Sequence, residues 1–271
     1  MTDFSKAFDR LPHRTILDVL SSLGVFGSFH AWIASYLTAR QLSVRVNGVA
    51  SRSFIATSGV PQGSHLGPFL FNLVINGVIS SLHCIKFLIY ADDLKLFFAI
   101  RDPSDCLLLQ QNLDALSLWC DQNGLALNPS KCAVTSFHRS HSPVKHPYLI
   151  NGALLSRKDD IVDLGVHLDS QLSFSNHIAQ VASRGMRALG FVKRNSREFT
   201  QPSALVTLYK TLVQPILEYA SVIWSPYYNC HTLQIERVFR AFLRFLAYKL
   251  SIPRENIDYH ELACWQVFSK T

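Results

Sequence analysis

Apolar residues recur at two periods along this chain, and the change of period divides it. Over 15–23 and 28–37 they fall at helical spacing, each segment beside a helix-breaking glycine, Gly24 or Gly27. Leu42 to Val46 alternates as a strand does, Asn47-Gly48 has the chemistry of a tight hairpin turn, and Ser53 to Thr57 supplies the return. Ser58 to Ser64 reads as a loop from its glycines and proline. Leu66, Phe69, Leu70, Leu73 and Val74 then resume helical spacing, with Pro68 tolerable in a first turn. A long helix is predicted over 104–123, ended by Gly124. Short strands are predicted over 131–137, over 148–155 with a turn at Asn151-Gly152, and over 162–168. From Ser175 onward the pattern is helical only, over 175–195, 202–224 and 230–249. Pro202 stands where a helix would start, and Pro226 and Pro253 where helices would stop. The expectation is an α+β part over 1–170 and an all-helical part over 171–271.

Two carboxylates interrupt the most apolar of the strand stretches. Lys86 to Phe98 holds Asp92 and Asp93 at its middle, with apolar runs on both sides, which predicts a β-hairpin with the acids at its tip. Adjacent like charges beneath an apolar sheet are costly unless water or a cation neutralises them. An Asp pair at a turn is also ordinary turn chemistry, so the pair gains meaning only from the segments around it.

Composition narrows the classes. With 271 residues, 48% of them hydrophobic, the chain can build a substantial core in one large or two modest domains, and a disordered chain is excluded. The net charge of +7 is uneven: residues 1–183 carry 14 Lys/Arg against 13 Asp/Glu, and residues 184–271 carry 12 against 6. The asymmetry points to an acidic partner for the C-terminal part, nucleic acid first, or else to a solvated basic surface. Arg237, Arg240 and Arg244 share one helical face, and Ile235, Val238, Phe242 and Leu246 another. Such a helix either packs on one side and touches phosphates on the other, or is a solvated amphipathic helix.

The six cysteines show no CxxC and no pairing with histidines, so buried free thiols in a reducing compartment are expected rather than zinc or disulfides. Ser53 to Ile85 carries no Lys, Arg, Asp or Glu. Its Pro61, Gln62, Gly63, Pro68, Asn72 and Asn76 favour a buried helix after a loop over a membrane span. The start, with Asp3, Lys6, Asp9 and Arg10, has no apolar leader segment, which predicts an intracellular protein of nucleus or cytoplasm, not a secreted one.

Five segments then fall in a telling order. Thr2-Asp3-Phe4-Ser5-Lys6-Ala7-Phe8-Asp9-Arg10-Leu11-Pro12-His13 puts an aspartate, a lysine and aromatics in one short stretch. Gly59 to Pro68 places flexible backbone near Gln62 ahead of a packed helix. Tyr90-Ala91-Asp92-Asp93 is followed by Asn128-Pro129-Ser130-Lys131 and by Leu164-Gly165-Val166. Together they resemble the reverse transcriptase domain of non-LTR retrotransposons, with Tyr90 to Asp93 as that family's YADD box. Leu217 to Pro226 resembles a thumb stretch of its Jockey-like branch.

The resemblance implies a right-hand polymerase palm, an antiparallel sheet with packed helices, followed by a helical thumb. It implies RNA-directed DNA synthesis, with RNA template, DNA primer and dNTPs as partners and no membrane. Asp3 and Asp92 would ligate two Mg²⁺ ions, Mn²⁺ being a possible substitute, and Asp93 would support the site. The backbone of Phe4, Ser5, Lys6, Ala7 and Phe8 would cradle the triphosphate. Phe8 would be the aromatic gate against a ribose 2′-hydroxyl, the alternative being a core aromatic. Gln62 would lie against the nascent base pair. Lys131 would face the triphosphate or be a solvated turn lysine. Gly165 would grip the primer, and Arg237, Arg240 and Arg244 would touch phosphates. The family's fingers would precede Asp3, where only Met1 and Thr2 stand, so an N-terminally truncated piece of a retrotransposon reading frame is expected. The alternative function is a catalytically dead fragment that at most binds nucleic acid through the basic thumb helices.

Overall fold

The structure, a computed structural model, describes residue 2, residues 4–139 and residues 143–253. Asp3 and Cys264 lie outside the described residues. The chain is α+β and divides into two compact units, Met1–Lys158 and Asp159–Thr271.

The first unit opens with the short α1 (Ala7–Arg10), then α2 (His13–Ser22) and α3 (Gly27–Leu37). A hairpin excursion follows, made of β1 (Gln41–Leu42), β2 (Arg45–Val46), β3 (Val49–Ala50) and β4 (Phe54–Ile55). Asn47-Gly48 forms its turn, as expected, with both residues at positive φ. The continuous strand expected over 42–46 is instead broken. Between the β1–β4 and β2–β3 ladders the Val44 amide donates to the Ser51 hydroxyl (2.9 Å), a side chain standing where a backbone acceptor would be.

Next come α4 (Leu66–Ile75), a 3₁₀ turn (Asn76–Ser81), β5 (Lys86–Tyr90), β6 (Asp93–Phe97) and α5 (Pro103–Gln122). The uncharged run therefore becomes a helix after a loop, buried on one face only, with Pro68, Phe69 and Asn72 exposed, and among the described residues no helix is long and apolar enough to cross a membrane. The α5 helix starts at a capping box: the Asp102 carboxylate accepts the Ser104 and Asp105 amides, and Asp105 accepts the Asp102 amide in return. The Ser104 hydroxyl, then those amides, hold the Asp102 carboxyl below its ordinary range. The unit ends with β7 (Ala133–Val134), β8 (Leu149–Ile150), β9 (Ala153–Leu154) and β10 (Ser156–Arg157). Asn151-Gly152 turns β8 into β9, whereas only two residues of the expected 131–137 strand pair, in parallel with β10.

Ile16 and Leu20, Ile33 and Leu37, Leu70 and Phe71, and Leu113 and Leu116 bring α2 to α5 into one core. Each such side chain contributes about 1.5–3 kcal/mol by leaving water. Among the described residues no disulfide forms: Cys106, Cys120 and Cys132 are buried thiols, but Cys84 and Cys230 are exposed. Burial pushes the Cys120 thiol up to about 12, so it is inert at neutral pH.

The second unit begins with a hairpin, β11 (Asp160–Asp163) and β12 (Val166–Asp169), turned by Leu164-Gly165. Helices follow: α6 (Ser175–Asn195), α7 (Pro202–Leu212), α8 (Gln214–Glu218), α9 (Ser221–Trp224) and α10 (Asn229–Lys249). The single helix expected over 202–224 is three. Pro215 has no N–H and its ring crowds the carbonyl one turn back, and Ala220 takes a left-handed φ of 54°. Ile178, Leu189, Leu205, Leu217, Val238, Phe242 and Leu246 form the core, with the Tyr209 ring stacked on Phe242 at 4.2 Å.

Asp169 sets the entry to α6. Its carboxylate accepts the amides of Gln171, Ser173 and Phe174 and the Ser173 hydroxyl, at 2.9–3.0 Å. Burial alone would raise this carboxyl, but the bonds from Ser173, Phe174 and Gln171 outweigh burial and the net displacement is below the ordinary 3.8. A carboxyl lowered by folding stabilises fully above 3.8 and loses that contribution as pH falls through its folded pKa. Unfolding followed by urea from pH 7 down to pH about 2 should therefore show an acid limb that flattens in Asp169→Asn, with lower stability of the variant at pH 7. An unchanged limb would refute this role.

Candidate active site

The acid pair stands where the hairpin pattern put it. In the β5–β6 register Tyr90 faces Asp93, leaving Ala91 and Asp92 as a two-residue turn. Phe87, Ile89, Leu94 and Leu96 point to the core, and the opposite face carries Leu88, Tyr90, Asp93 and Lys95. Asp92 is exposed and Asp93 half-buried. Ala91 turns with φ 52°, a conformation that costs a residue with a Cβ about 1–2 kcal/mol. Such strain persists only where the surroundings over-determine it. Here a five-residue ladder below the turn does so.

The acid hairpin, the second segment and the stretch before the fourth meet at the first, residues 2–13. Thr2 is buried, and its amide and hydroxyl both donate to the Leu94 carbonyl at 2.8 Å, one residue past Asp93. Phe4 is buried and bridges Leu127, and the Ser5 amide donates to Ala126 O at 2.8 Å. The short stretch before the fourth motif is thereby paired to the first. Asn128 then closes a tight turn: its carboxamide oxygen accepts from the Ser130 amide and hydroxyl, which places exposed Lys131.

The second motif is fastened to the same segment. Val60 N donates to Phe8 O (2.9 Å), Gly59 N to Leu11 O (2.8 Å) and the Ser58 hydroxyl to Asp9 O (2.8 Å). Gln62 Nε2 donates to Asp9 Oδ1 at 2.7 Å, so the expected base-pair contact residue is held by a carboxylate that sequence reasoning had not singled out. The Gly59 carbonyl accepts from His13 Nε2 (2.9 Å) and Arg40 Nη2 (3.0 Å). His13 lies inside the first motif; Arg40 gives no signal in the sequence, because its partner is a backbone atom 19 residues away.

Of the residues expected at the nucleotide, Phe4 and Ala7 are buried, Ser5 and Phe8 half-buried, and Lys6, Gln62 and Lys131 exposed. The Ser5 amide is engaged by Ala126, whereas Lys6 takes φ 50° and turns the chain into α1. The Phe8 ring stacks on buried Phe71 at 4.3 Å. Gly165, Arg237, Arg240 and Arg244 belong to the second unit. The three arginines are exposed on α10 and line one groove with Leu233, Arg240 paired with Glu236 at 2.7 Å.

Among the described residues no group of three or more His, Cys, Asp or Glu could hold a metal ion. Asp92 and Asp93 are adjacent carboxylates at the tip, oxygen donors of the hard kind that Mg²⁺ prefers.

The family described as "Reverse transcriptase (RNA-dependent DNA polymerase)" matches residues 1–192 of this chain. The chain belongs to that family. The match takes in the acid pair, the segments that converge on residues 2–13, and the Leu164-Gly165 turn. Among reverse transcriptase relatives, the RNA-directed DNA polymerase from mobile element jockey of Drosophila funebris is 31% identical over 255 residues, 88% of this chain and 27% of that protein. Its Drosophila melanogaster counterpart is 29% identical over 237 residues, 82% of this chain and 25% of that protein. The chain thus spans about a quarter of the length of these relatives. A solved structure of telomerase from Candida albicans with a telomeric RNA fragment matches with a TM-score of 0.40 and 12% identity, over 98% of this chain and 49% of that one.

The fastening of the second motif is testable. A Cβ on Gly59 (φ 80°) would lie 2.7 Å from Asp9 O and 2.8 Å from Phe8 O, whereas one on Gly63 (φ 79°) would meet nothing within 4 Å. Gly59→Ala should lose about 3 kcal/mol from strain plus overlap, and Gly63→Ala only about 1 kcal/mol from strain, in urea unfolding. Equal losses would show that the contact does not hold the loop.

Proposed function

We propose that this chain is the polymerase core of an RNA-directed DNA polymerase. The first unit serves as palm and the second as thumb, and deoxynucleotides are added to a primer 3′-hydroxyl on an RNA template. The observation that carries the proposal is the backbone convergence of the second and fourth motif segments on the first, residues 2–13, with Thr2 paired to Leu94 beside the acid tip.

Asp92 and Asp93, joined by Asp3, would hold the divalent ions. Bound there, such ions would lower the pKa of the attacking hydroxyl and stabilise the departing pyrophosphate. The remaining residues position. The amides of the Lys6–Phe8 turn and the Lys131 ammonium would receive the triphosphate. The Phe8 ring, fixed by Phe71, would exclude a 2′-hydroxyl, and Gln62, oriented by Asp9, would lie against the base pair. Positioning and charge stabilisation are most of what phosphoryl-type transfer asks of a protein. With a DNA primer annealed to an RNA template, Mg²⁺ and dNTPs, the chain should extend the primer, and Asp92→Ala should lower the rate at least about 10³-fold. No extension by the wild-type chain at any salt concentration, or full extension by Asp92→Ala, would sink the proposal.

A second reading is supported by the exposed arginine face of α10: a protein that binds nucleic acid without copying it. Phosphate contacts bind without reading sequence and weaken with salt. Replacing Arg237, Arg240 and Arg244 together by alanine should reduce the slope of log affinity against log salt by roughly 2 to 3, while Asp92→Ala leaves binding intact. Affinity indifferent to salt, or an unchanged slope in the triple variant, would remove the arginine face from either reading.

A further inference from the structure

Three hairpin turns in this protein place both central residues at positive φ: Asn47-Gly48, Asn151-Gly152 and Leu164-Gly165. Asparagine tolerates that conformation and leucine does not. The third turn thus lacks the local chemistry that makes the other two, yet it sets the same tight register, Asp163 opposite Val166. Its Leu164 side chain is apolar and half in solvent, at 46% exposure, so burial does not hold it.

A contact from elsewhere in the second unit does. The Tyr219 hydroxyl donates to the Leu164 carbonyl at 2.8 Å, and the Tyr219 ring lies over Gly165, where a Cβ would be 3.4 Å from its Cε1. Tyr219 is itself fixed. Its amide donates to Pro215 O (3.1 Å), its carbonyl accepts from Trp224 Nε1 (2.8 Å), and Ala220 reverses the chain directly after it. Trp224 is buried and packs edge-on to buried His177 at 5.1 Å. His177 Nδ1 in turn accepts the His167 amide (3.3 Å), on β12 of the same hairpin. Both ends of the contact are therefore anchored to the element it steadies.

We infer that Tyr219 is a positioning residue that clamps the Leu164-Gly165 turn in the shape in which it meets the primer. The inference rests on the polymerase reading, which gives that turn its partner. A strained turn kept by an outside clamp, with an apolar side chain left at the tip, fits a surface built for contact rather than for stability.

The test uses the whole chain and two readouts, neither needing synthesis. Tyr219→Phe keeps the ring and removes only the donor, so its melting temperature should stay close to wild type. Hydrogen exchange of the peptide spanning 160–169 should quicken. Affinity for a DNA primer annealed to an RNA template, measured by fluorescence anisotropy in EDTA, should fall about threefold to tenfold, the loss expected for one net hydrogen bond. Leu164→Asn, which restores the turn's own preference, should recover slow exchange in the Tyr219→Phe background. Unchanged exchange in Tyr219→Phe, quickened exchange that Leu164→Asn does not restore, or quickened exchange with unchanged affinity would each overturn the clamp. A wild-type chain that binds no primer–template overturns the polymerase reading instead, and with it the turn's role.

Discussion

Backbone hydrogen bonds made by one short segment, residues 2–13, hold the first unit's chemistry together. Leu94 beside the acid tip, Ala126 and Leu127 before the Asn128 turn, and Gly59 and Val60 of the second loop all pair with it. The cause is general: where a segment packs against a core, its amides and carbonyls must find partners. Partners on several sides of it are thereby brought to fixed spacing. Side chains reinforce it: the Thr2 hydroxyl on Leu94, His13 and Arg40 on the Gly59 carbonyl, and Ser58 and Gln62 on Asp9.

Strain is distributed with the same logic. Ala91 at the acid tip, Lys6 ahead of α1, Leu164 in the second unit's hairpin and Ala220 after Tyr219 all take left-handed φ without being glycine. Asn47 and Asn151 do so at turns where the residue tolerates it. The first group is costly, and two of its members are held by something beyond their own turn: Ala91 by the β5–β6 ladder and Leu164 by Tyr219. Unfavourable backbone that is over-determined from outside is where a fold concentrates shape that function needs.

Much of this was legible from local pattern. The hairpin with Asp92 and Asp93 at its tip, the capped α5, and α6 and α10 follow periodicity and end signals closely. The breaks inside 202–224 did not show in the spacing, because apolar periodicity continues through Pro215 and Ala220 although the backbone cannot. The split 41–55 ladder did not show either, since it turns on one serine hydroxyl taking a backbone role. At the site, the acids and the glycine loop were visible as residue types. The Asp9–Gln62 pair, the Phe8–Phe71 stack and the double donation to the Gly59 carbonyl were not.

The sequence by itself determined the Asn47-Gly48 and Asn151-Gly152 turns, the ends of α5, α6 and α10, the alternation that points Leu94 inward, and the presence of paired carboxylates at a tip. These depend on residues within a few positions of one another, whose sterics and hydrogen-bonding groups are written in their identities. Only the tertiary structure decided that Ser5 gives its amide to Ala126 and that Asp9 orients Gln62. It also decided that Tyr219 holds a turn more than fifty positions away. Those pairings form when distant segments close around a common core, and no local pattern carries the geometry of that closure.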